Sequence, residues 1–289
     1  MGNKRQDVCK KRVLVVGANS YIGDSFAKYA GEQLHVDIVD SYDEWKTTPF
    51  EGYDSILLVA GLVHQKWNRK ERKSNKDLYF AVNRDFAIDV AKKAKASGVG
   101  QFIYMSSMAV YGLTSGEISA DTKPSPKKND YYGLSKYQAE ESLTKMFCEP
   151  CIIRPPMVYG PNCPGNFPRL VQLAKAFPIF PNINNRRSMI YIDNLCAFIM
   201  YAVKNGCMGV YLPQNREYVN TTNLVQTIAM LNGRRLPITR LFNPLVFLVG
   251  KFSSRINKMF GCLTYTRDEL VDKYNKVDFI EGVKNTLGI

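Results

Sequence analysis

Five short apolar runs set what this chain can fold into. Arg12–Val16, His35–Val39, Ser55–Val59, Gln101–Met105 and a run opening at Cys151–Ile153 are apolar on both faces, and helical patterns separate them. Strands of that kind must be covered on both sides, which requires a parallel sheet between two helical layers. The covering helices read as Ile22–Ala30, Asn83–Ser97 (stopped by Gly98) and Tyr132–Phe147. Right-handed crossovers then give a doubly wound α/β domain.

After Pro155 the rhythm loosens. Pro155, Pro156, Pro161, Pro164, Pro168, Pro178 and Pro181 crowd a span that also holds Gly160 and Gly165, and central strands do not tolerate this. Short strands at Met189–Ile192 and Val210–Leu212 and helices at Asn194–Val203 and Thr222–Leu231 follow. We read residues 1–160 with about 189–212 as one domain, and about 161–188 with 213–289 as a smaller C-terminal substrate domain interleaved with it.

Composition narrows the function classes. The chain is 45% hydrophobic and 22% charged, an ordinary globular balance. No apolar run approaches the ~20 residues of a membrane span, and the longest, Pro244–Gly250, ends at Lys251. Met1–Lys11 is polar and basic, unlike a signal peptide, and Gln6 occupies the place where myristoylation wants Ser or Thr. Seven cysteines, an odd number, argue against a disulfide framework or structural zinc, so a cytoplasmic location is expected and no metal. With His35 and His64 the only histidines, a Ser-His-Asp hydrolase is a poor reading.

The net charge of +13 attracts anions such as phosphorylated small molecules. Lys66, Arg69, Lys70, Arg72, Lys73 and Lys76 are the densest basic stretch, read as a solvated loop and helix start rather than a nucleic-acid site. Leu241–Phe252, followed by Arg255 and Lys258, reads as a lid or core helix, with contact to a membrane surface as the other reading and no stable insertion.

Chemistry-bearing residues stand at strand ends. The first strand runs into Gly17-Ala18-Asn19-Ser20-Tyr21-Ile22-Gly23. Glycines there let a pyrophosphate approach the backbone and the N-terminus of a helix, although glycine at such a turn is also common for purely structural reasons. Ser20 stands where the middle glycine of such a loop is expected. Asp40 ends the second strand, where a carboxylate accepts hydrogen bonds from an adenosine ribose and repels a 2′-phosphate; a plain turn-starting Asp is the competing reading. The fourth strand runs into Ser106-Ser107-Met108-Ala109, and Tyr132 and Lys136 follow at i and i+4, on one helix face. An ammonium near a phenol stabilises the phenolate, so the Tyr132 pKa is expected below its usual ~10, suited to proton exchange with an alcohol.

These segments together resemble the extended short-chain dehydrogenase/reductases, in particular their nucleotide-sugar epimerase/dehydratase group. The resemblance rests on Gly17–Gly23, Asp40, Asp54 with Ala60-Gly61, Asn83, Ser107–Gly112, Tyr132 with Lys136, Arg154–Pro161 and Arg187–Asp193, in family order from Gly17 to about Tyr211. It implies a Rossmann-type fold holding NAD at Gly17, Asn19, Ser20, Tyr21, Ile22, Gly23, Asp40, Ala60, Gly61, Tyr132, Lys136 and Pro156. It implies that Ser107, Tyr132 and Lys136 are catalytic, with Ser106 behind them, and that Ser107, Met108, Tyr132 and Arg187 meet substrate. Arg187 would bind the diphosphate, unless it is a surface residue beside Arg186. Asp54, Ala60 and Gly61 would run beside the cofactor, and Asn83 would serve the helix that follows it. His64 lies where a loop over the sugar is expected. A homodimer is also implied.

Within the group, a 4,6-dehydratase needs an acid and a base directly after the serine, and Met108 and Ala109 are neither. A 4-epimerase needs only the Ser, Tyr and Lys set with NAD. The expected function is therefore C4 inversion of a UDP-hexose or UDP-N-acetylhexosamine for polysaccharide synthesis. An NAD(P)H-dependent 4-keto-sugar reductase is the alternative, and a non-catalytic dinucleotide-binding protein the minor one.

Overall fold

The computed structural model describes residues 10–63, 71, 74–147 and 149–289. His64 and most of the basic stretch, Lys66 to Lys73, lie outside the described residues.

Six strands form one parallel sheet. They are β1 (Arg12–Val16), β2 (His35–Val39), β3 (Ser55–Leu58), β4 (Gln101–Met105), β6 (Cys151–Ile153) and β10 (Gly209–Tyr211), in the order β10-β6-β4-β3-β1-β2. Strand β1 pairs in parallel with β2 and β3, Val16 lying level with Val39 and Leu58. The chain leaves β1 toward β2 on one side and resumes at β3 on the other. The crevice outside the C-terminal ends of β1 and β3 is therefore the switch point at which such sheets bind ligands.

The side-chain period of two sorts β1 cleanly. Val13 and Val15 enter one apolar cluster, Leu14 and Val16 the other. On the first face lie α1 (Tyr21–Ala30), through Phe26 and Ala30, and α7 (Ile192–Asn205). On the second lie α4 (Phe86–Ala96) and α5 (Tyr131–Met146). Between them run the short helices α2 (Glu44–Thr47) and α3 (Lys76–Phe80) and, in the C-terminal region, α6 (Phe167–Ala176). The expected single helix over Asn83–Ser97 instead begins inside a π-helical segment at Ala81–Asp85, which follows α3 directly, and runs on as α4. The π segment carries Asn83 inward, which matters below.

Three two-stranded parallel ladders complete the fold: β5 (Gly116–Ile118) with β12 (Leu263–Tyr265), β7 (Met157–Tyr159) with β9 (Met189–Tyr191), and β8 (Phe180–Pro181) with β11 (Ile238–Thr239). The C-terminal third adds α8 (Thr221–Leu231), α9 (Asn243–Phe252), α10 (Ser254–Phe260), α11 (Val271–Tyr274) and α12 (Phe279–Leu287). The larger apolar cluster runs without a break from Val13 to Val283, so the sheet and the C-terminal elements share one core. Cys151, three places after Cys148, is buried in β6 as part of that core, while Cys148 lies outside the described residues.

The reading of Leu241–Phe252 as a helix is met from Asn243, and Val246 packs on the main core, but the segment is not core throughout. Leu241, Leu245, Phe247 and Leu248 on and before the helix are exposed. None of the helices among the described residues is long and apolar enough to cross a membrane.

Candidate active site

A cleft of about 780 Å³ opens at the C-terminal ends of the central strands. Each part of its wall is set by a local backbone rule.

The loop after β1 folds back on the end of β3. Gly17 has φ 129°, and a Cβ there would lie 2.8 Å from the Ala60 backbone nitrogen, so only glycine fits. Asn19 sits at φ 62°, a left-handed conformation that Asn tolerates. Ser20 has φ −89°, an ordinary value for an L-residue, which explains why serine serves where a glycine was expected. Its hydroxyl accepts a hydrogen bond from the Gly23 N–H at 3.2 Å and caps α1. Gly23 is packed against that hydroxyl, since a Cβ would come within 2.6 Å of Ser20 Oγ. The result is a bare backbone cradle opening onto a helix N-terminus, the form that suits a diphosphate. Of this loop, Ser20, Tyr21 and Ile22 line the cleft, whereas Gly17, Asn19, Gly23 and Ala60 are not among its lining residues. The Tyr21 hydroxyl is buried with no hydrogen-bond partner, and burial raises its pKa.

Asp40 lies at the end of β2, away from the cleft lining. Its Oδ1 accepts N–H groups of Tyr42, Asp43 and Glu44 at 2.8, 3.1 and 3.1 Å. These bonds, led by that from Tyr42, hold the carboxyl below its usual range. The turn-starting reading of Asp40 is thus met, and its carboxylate stands at the strand end.

Asp54 does not run beside the cleft. Its carboxylate accepts the Arg12 N–H at 2.7 Å, at the start of β1. That is the N-terminal edge of the sheet, whereas the crevice is at the opposite edge. Gly61 does line the cleft, and a Cβ on it would lie 3.1 Å from Lys136 Nζ and 3.2 Å from Asn83 Oδ1. Asn83 does more than serve the helix after it. Its Oδ1 accepts the Leu62 N–H at 2.7 Å, and its Nδ2 donates to Leu62 O at 3.2 Å and to Ser135 Oγ at 3.1 Å. It therefore clamps the loop after β3 onto α5, one residue from Lys136.

The turn after β4 carries Ser107, which caps a short 3₁₀ helix at Met108–Tyr111 by accepting the Ala109 N–H at 3.2 Å. The Met108 N–H donates to Pro155 O at 3.0 Å. Gly133, in the first turn of α5, lets this turn touch the helix, because a Cβ there would come within 2.6 Å of Ala109 O. Ser107, Met108, Ala109, Tyr132 and Lys136 consequently share one wall of the cleft.

The electrostatics differ from the simple expectation for Tyr132. Its phenol is pushed up to about 12 by burial, with the Ser107 hydroxyl hydrogen-bonding to it and pulling the other way. The Lys136 Nζ has other partners, donating to Met105 O at 2.8 Å and lying 4.6 Å from the Tyr104 ring centroid. Burial depresses the ammonium itself to about 7, partly offset by Glu140 one turn along α5. Glu140 is held by Arg154 Nε at 3.0 Å and Nη2 at 2.7 Å, and Ser106 donates to its Oε1. Arg154 also donates to Tyr111 Oη at 2.8 Å, and Tyr265 donates to Arg154 O at 2.7 Å. This buried network, which the residue pattern did not announce, ties Ser106, next to Ser107, to α5, β6 and β12.

The far wall comes from Pro155, Pro156, Met157, Pro164, Asn166, Arg187, Lys258 and Leu263. Arg187 is no plain surface residue: it lines the cleft, its Nη1 donates to Gly261 O at 3.1 Å, and burial lowers its pKa. Arg186 beside it is exposed. Lys258 joins it in the lining, a cation that its place after an apolar run did not assign to the cleft.

Residues 13–211 match the family described as "NAD dependent epimerase/dehydratase family". The chain is 27% identical over 281 residues to N-acetyl-alpha-D-glucosaminyl-diphospho-ditrans,octacis-undecaprenol 4-epimerase of Escherichia coli O157:H7, covering 86% of this chain and 81% of the relative. It is 32% identical over 226 residues to UDP-glucose 4-epimerase of Vibrio cholerae, covering 73% of this chain but only 64% of that enzyme. Among solved structures, UDP-glucuronic acid 4-epimerase from Bacillus cereus in complex with NAD superposes with a TM-score of 0.73 at 17% identity, over 96% of each chain.

Proposed function

This chain belongs to the NAD dependent epimerase/dehydratase family, and from that premise we propose that it inverts C4 of a hexose or N-acetylhexosamine carried on a diphosphate, a UDP-sugar being the expected substrate. The observation that carries the reading is the shared wall of Ser107, Tyr132 and Lys136, facing Arg187 and Lys258 across one cleft, with no acid or base at Met108 or Ala109. The two curated relatives support it: their names differ in the carrier, a polyprenol or uridine, and agree on a diphosphate-linked sugar and on position 4.

NAD, when bound, supplies the acceptor and donor of the sugar's C4 hydride. The cradle fits it: Gly17, Asn19, Ser20, Tyr21, Ile22 and Gly23 would hold the diphosphate with Ala60 packed behind them, and Asp40 the adenosine ribose. Gly61, Lys136 and Pro156 would line the nicotinamide end.

The residues of the chain do the rest. Tyr132 exchanges the O4 proton of the sugar, and Ser107 hydrogen-bonds the same oxygen and fixes its distance from the phenol. With its phenol at about 12, Tyr132 is protonated in the empty cleft at neutral pH. Positive charge entering beside it favours the phenolate and makes it the base of the forward step. Arg187 and Lys258 hold the diphosphate while the sugar turns. Met108 packs on the sugar. We place the enzyme in the cytoplasm, in polysaccharide synthesis, as a homodimer.

The test is to denature the purified protein, identify released nucleotide by mass, and incubate the native enzyme with UDP-glucose and UDP-N-acetylglucosamine. Released NAD with C4 inversion is expected. A protein free of nucleotide that reduces 4-keto sugars with NADH or NADPH would replace this reading by a reductase using the same three residues.

A further inference from the structure

The C-terminal third carries an apolar face that the cleft does not use. Helix α9 is apolar on two sides. Its inner side holds Asn243, Val246 and Gly250, at i, i+3 and i+7. Val246 packs on the main core, Asn243 Nδ2 donates to Asn182 O at 2.8 Å, and Gly250 faces Ile256 of α10. Its outer side, with the two residues before it, leaves Leu241 79%, Leu245 59%, Phe247 57% and Leu248 55% exposed, joined by Phe242 and Val249. Six large apolar side chains within residues 241–249 form a contiguous patch, unlike singly scattered exposed residues.

The segment that carries that face has charge of one sign. From Tyr218 to Arg267 the sequence has no Asp or Glu and seven basic residues. Arg235 and Arg240 are exposed just before the patch. A second copy of this chain would bring the same positive charge against itself, which opposes association through this face. An anionic bilayer complements both properties: its acyl boundary takes the apolar side chains and its phosphates meet the arginines. The ten-residue helix is about 15 Å long, too short to cross a bilayer and suited to lie in its interface.

We propose that α9, with Leu241 and Phe242, is a membrane-contact face that seats this enzyme on an anionic lipid bilayer. Helix α9 packs on α10, and α10 carries Lys258 into the cleft. The lipid surface is then one helix from the cleft, an arrangement suited to a sugar diphosphate whose carrier stays in the bilayer. That last consequence rests on the function proposed above; the membrane contact itself does not.

The experiment is flotation of the full chain with vesicles of phosphatidylcholine alone and of phosphatidylcholine with phosphatidylglycerol, at low and high salt. Binding to the anionic vesicles that weakens with salt is expected, with little on the neutral ones. Leu245→Glu combined with Leu248→Glu should reduce binding at least tenfold while leaving the thermal transition and turnover of water-soluble UDP-sugar unchanged. Should that variant misfold, Phe247→Trp gives a second reading, the fluorescence of the introduced indole being quenched by brominated acyl chains. Failure of the wild type to float, equal flotation of the double variant, or an indole signal from Phe247→Trp that is indifferent to brominated lipid would overturn the proposal. So would a switch from dimer to monomer in the double variant with lipid binding intact, which would assign the face to a second copy. Loss of sugar turnover with flotation intact bears only on the proposed reaction.

Discussion

The two walls of the cleft are built on opposite terms. The wall on the sheet holds its buried charges by multiple partners: Glu140 is met by Arg154 and Ser106, and Lys136 is fixed to a backbone carbonyl under an aromatic ring. The opposite wall, with Arg187 and Lys258, belongs to a region poor in carboxylates and rich in positive charge, and behind it α9 leaves large apolar side chains in water. On the proposed function the first wall would fix the atoms that meet a reacting carbon, and precision there requires rigid, satisfied surroundings. The second, on the same proposed function, would meet the carrier, where attraction suffices and geometry is looser.

Substitutions can break or sharpen this contrast. Tyr132→Phe should lower turnover by about 10²–10⁴-fold, the usual range for a positioned proton-transfer group, while released nucleotide stays the same; normal turnover would remove Tyr132 from the chemistry. Glu140→Gln leaves Arg154 buried without its ion partner and should cost about 3–5 kcal/mol of unfolding free energy in urea. A cost near that of a surface substitution would mean the sheet-side wall is less tightly coupled than its hydrogen bonds imply.

Lys136 gives a pH test. Its folded pKa, about 7, lies below that of the unfolded lysine, so the unfolded chain binds the extra proton between those values. Stability should therefore rise with pH from about 7 to about 10, the penalty being full below that window. The urea midpoint of the nucleotide-free protein should climb with pH more steeply than that of Lys136→Met, and parallel slopes would contradict the burial of a charged amine.

On the other wall, Arg187→Ala should raise KM about tenfold or somewhat more with kcat nearly unchanged, as expected for uniform binding of a diphosphate. A fall in kcat instead would move Arg187 into the reacting geometry and blur the contrast. The smallest effect is expected from Asp40→Ala. It should weaken NAD a few-fold more than NADP, read by titration of each nucleotide.

The sheet was legible because its strands are short, apolar on both faces and punctuated by glycines; four of the five expected strands match within a residue, and Cys151–Ile153 is complete as read. Gly17–Gly23 and Tyr132 with Lys136 could be recognised because their spacing is local. What stayed hidden was relational. The clamp of Asn83 depends on a π-helical turn that has no periodic signature. The pairing of Glu140 with Arg154 joins residues on a helix and a strand end, and no local pattern announces it. The Tyr132 phenol was expected low because proximity to Lys136 was counted, whereas burial, which a sequence does not display, decides its direction. The exposure of α9 was not legible for a related reason: an apolar run looks the same whether a neighbour covers it or not.

The turn that carries Ser107 has a further consequence. Its shape is held by backbone contacts, from Met108 N–H to Pro155 O and from Ala109 O to Gly133, with the Met108 side chain packed beside the cluster of Val110, Tyr111 and Tyr265. Those two positions are therefore side chains set on a backbone-held socket that lines the cleft, which on the proposed function would face the sugar. A lineage could gain an acid and a base there by two replacements without refolding the socket, so elimination and inversion stand as neighbouring chemistries on one scaffold, separated by what two side chains contain.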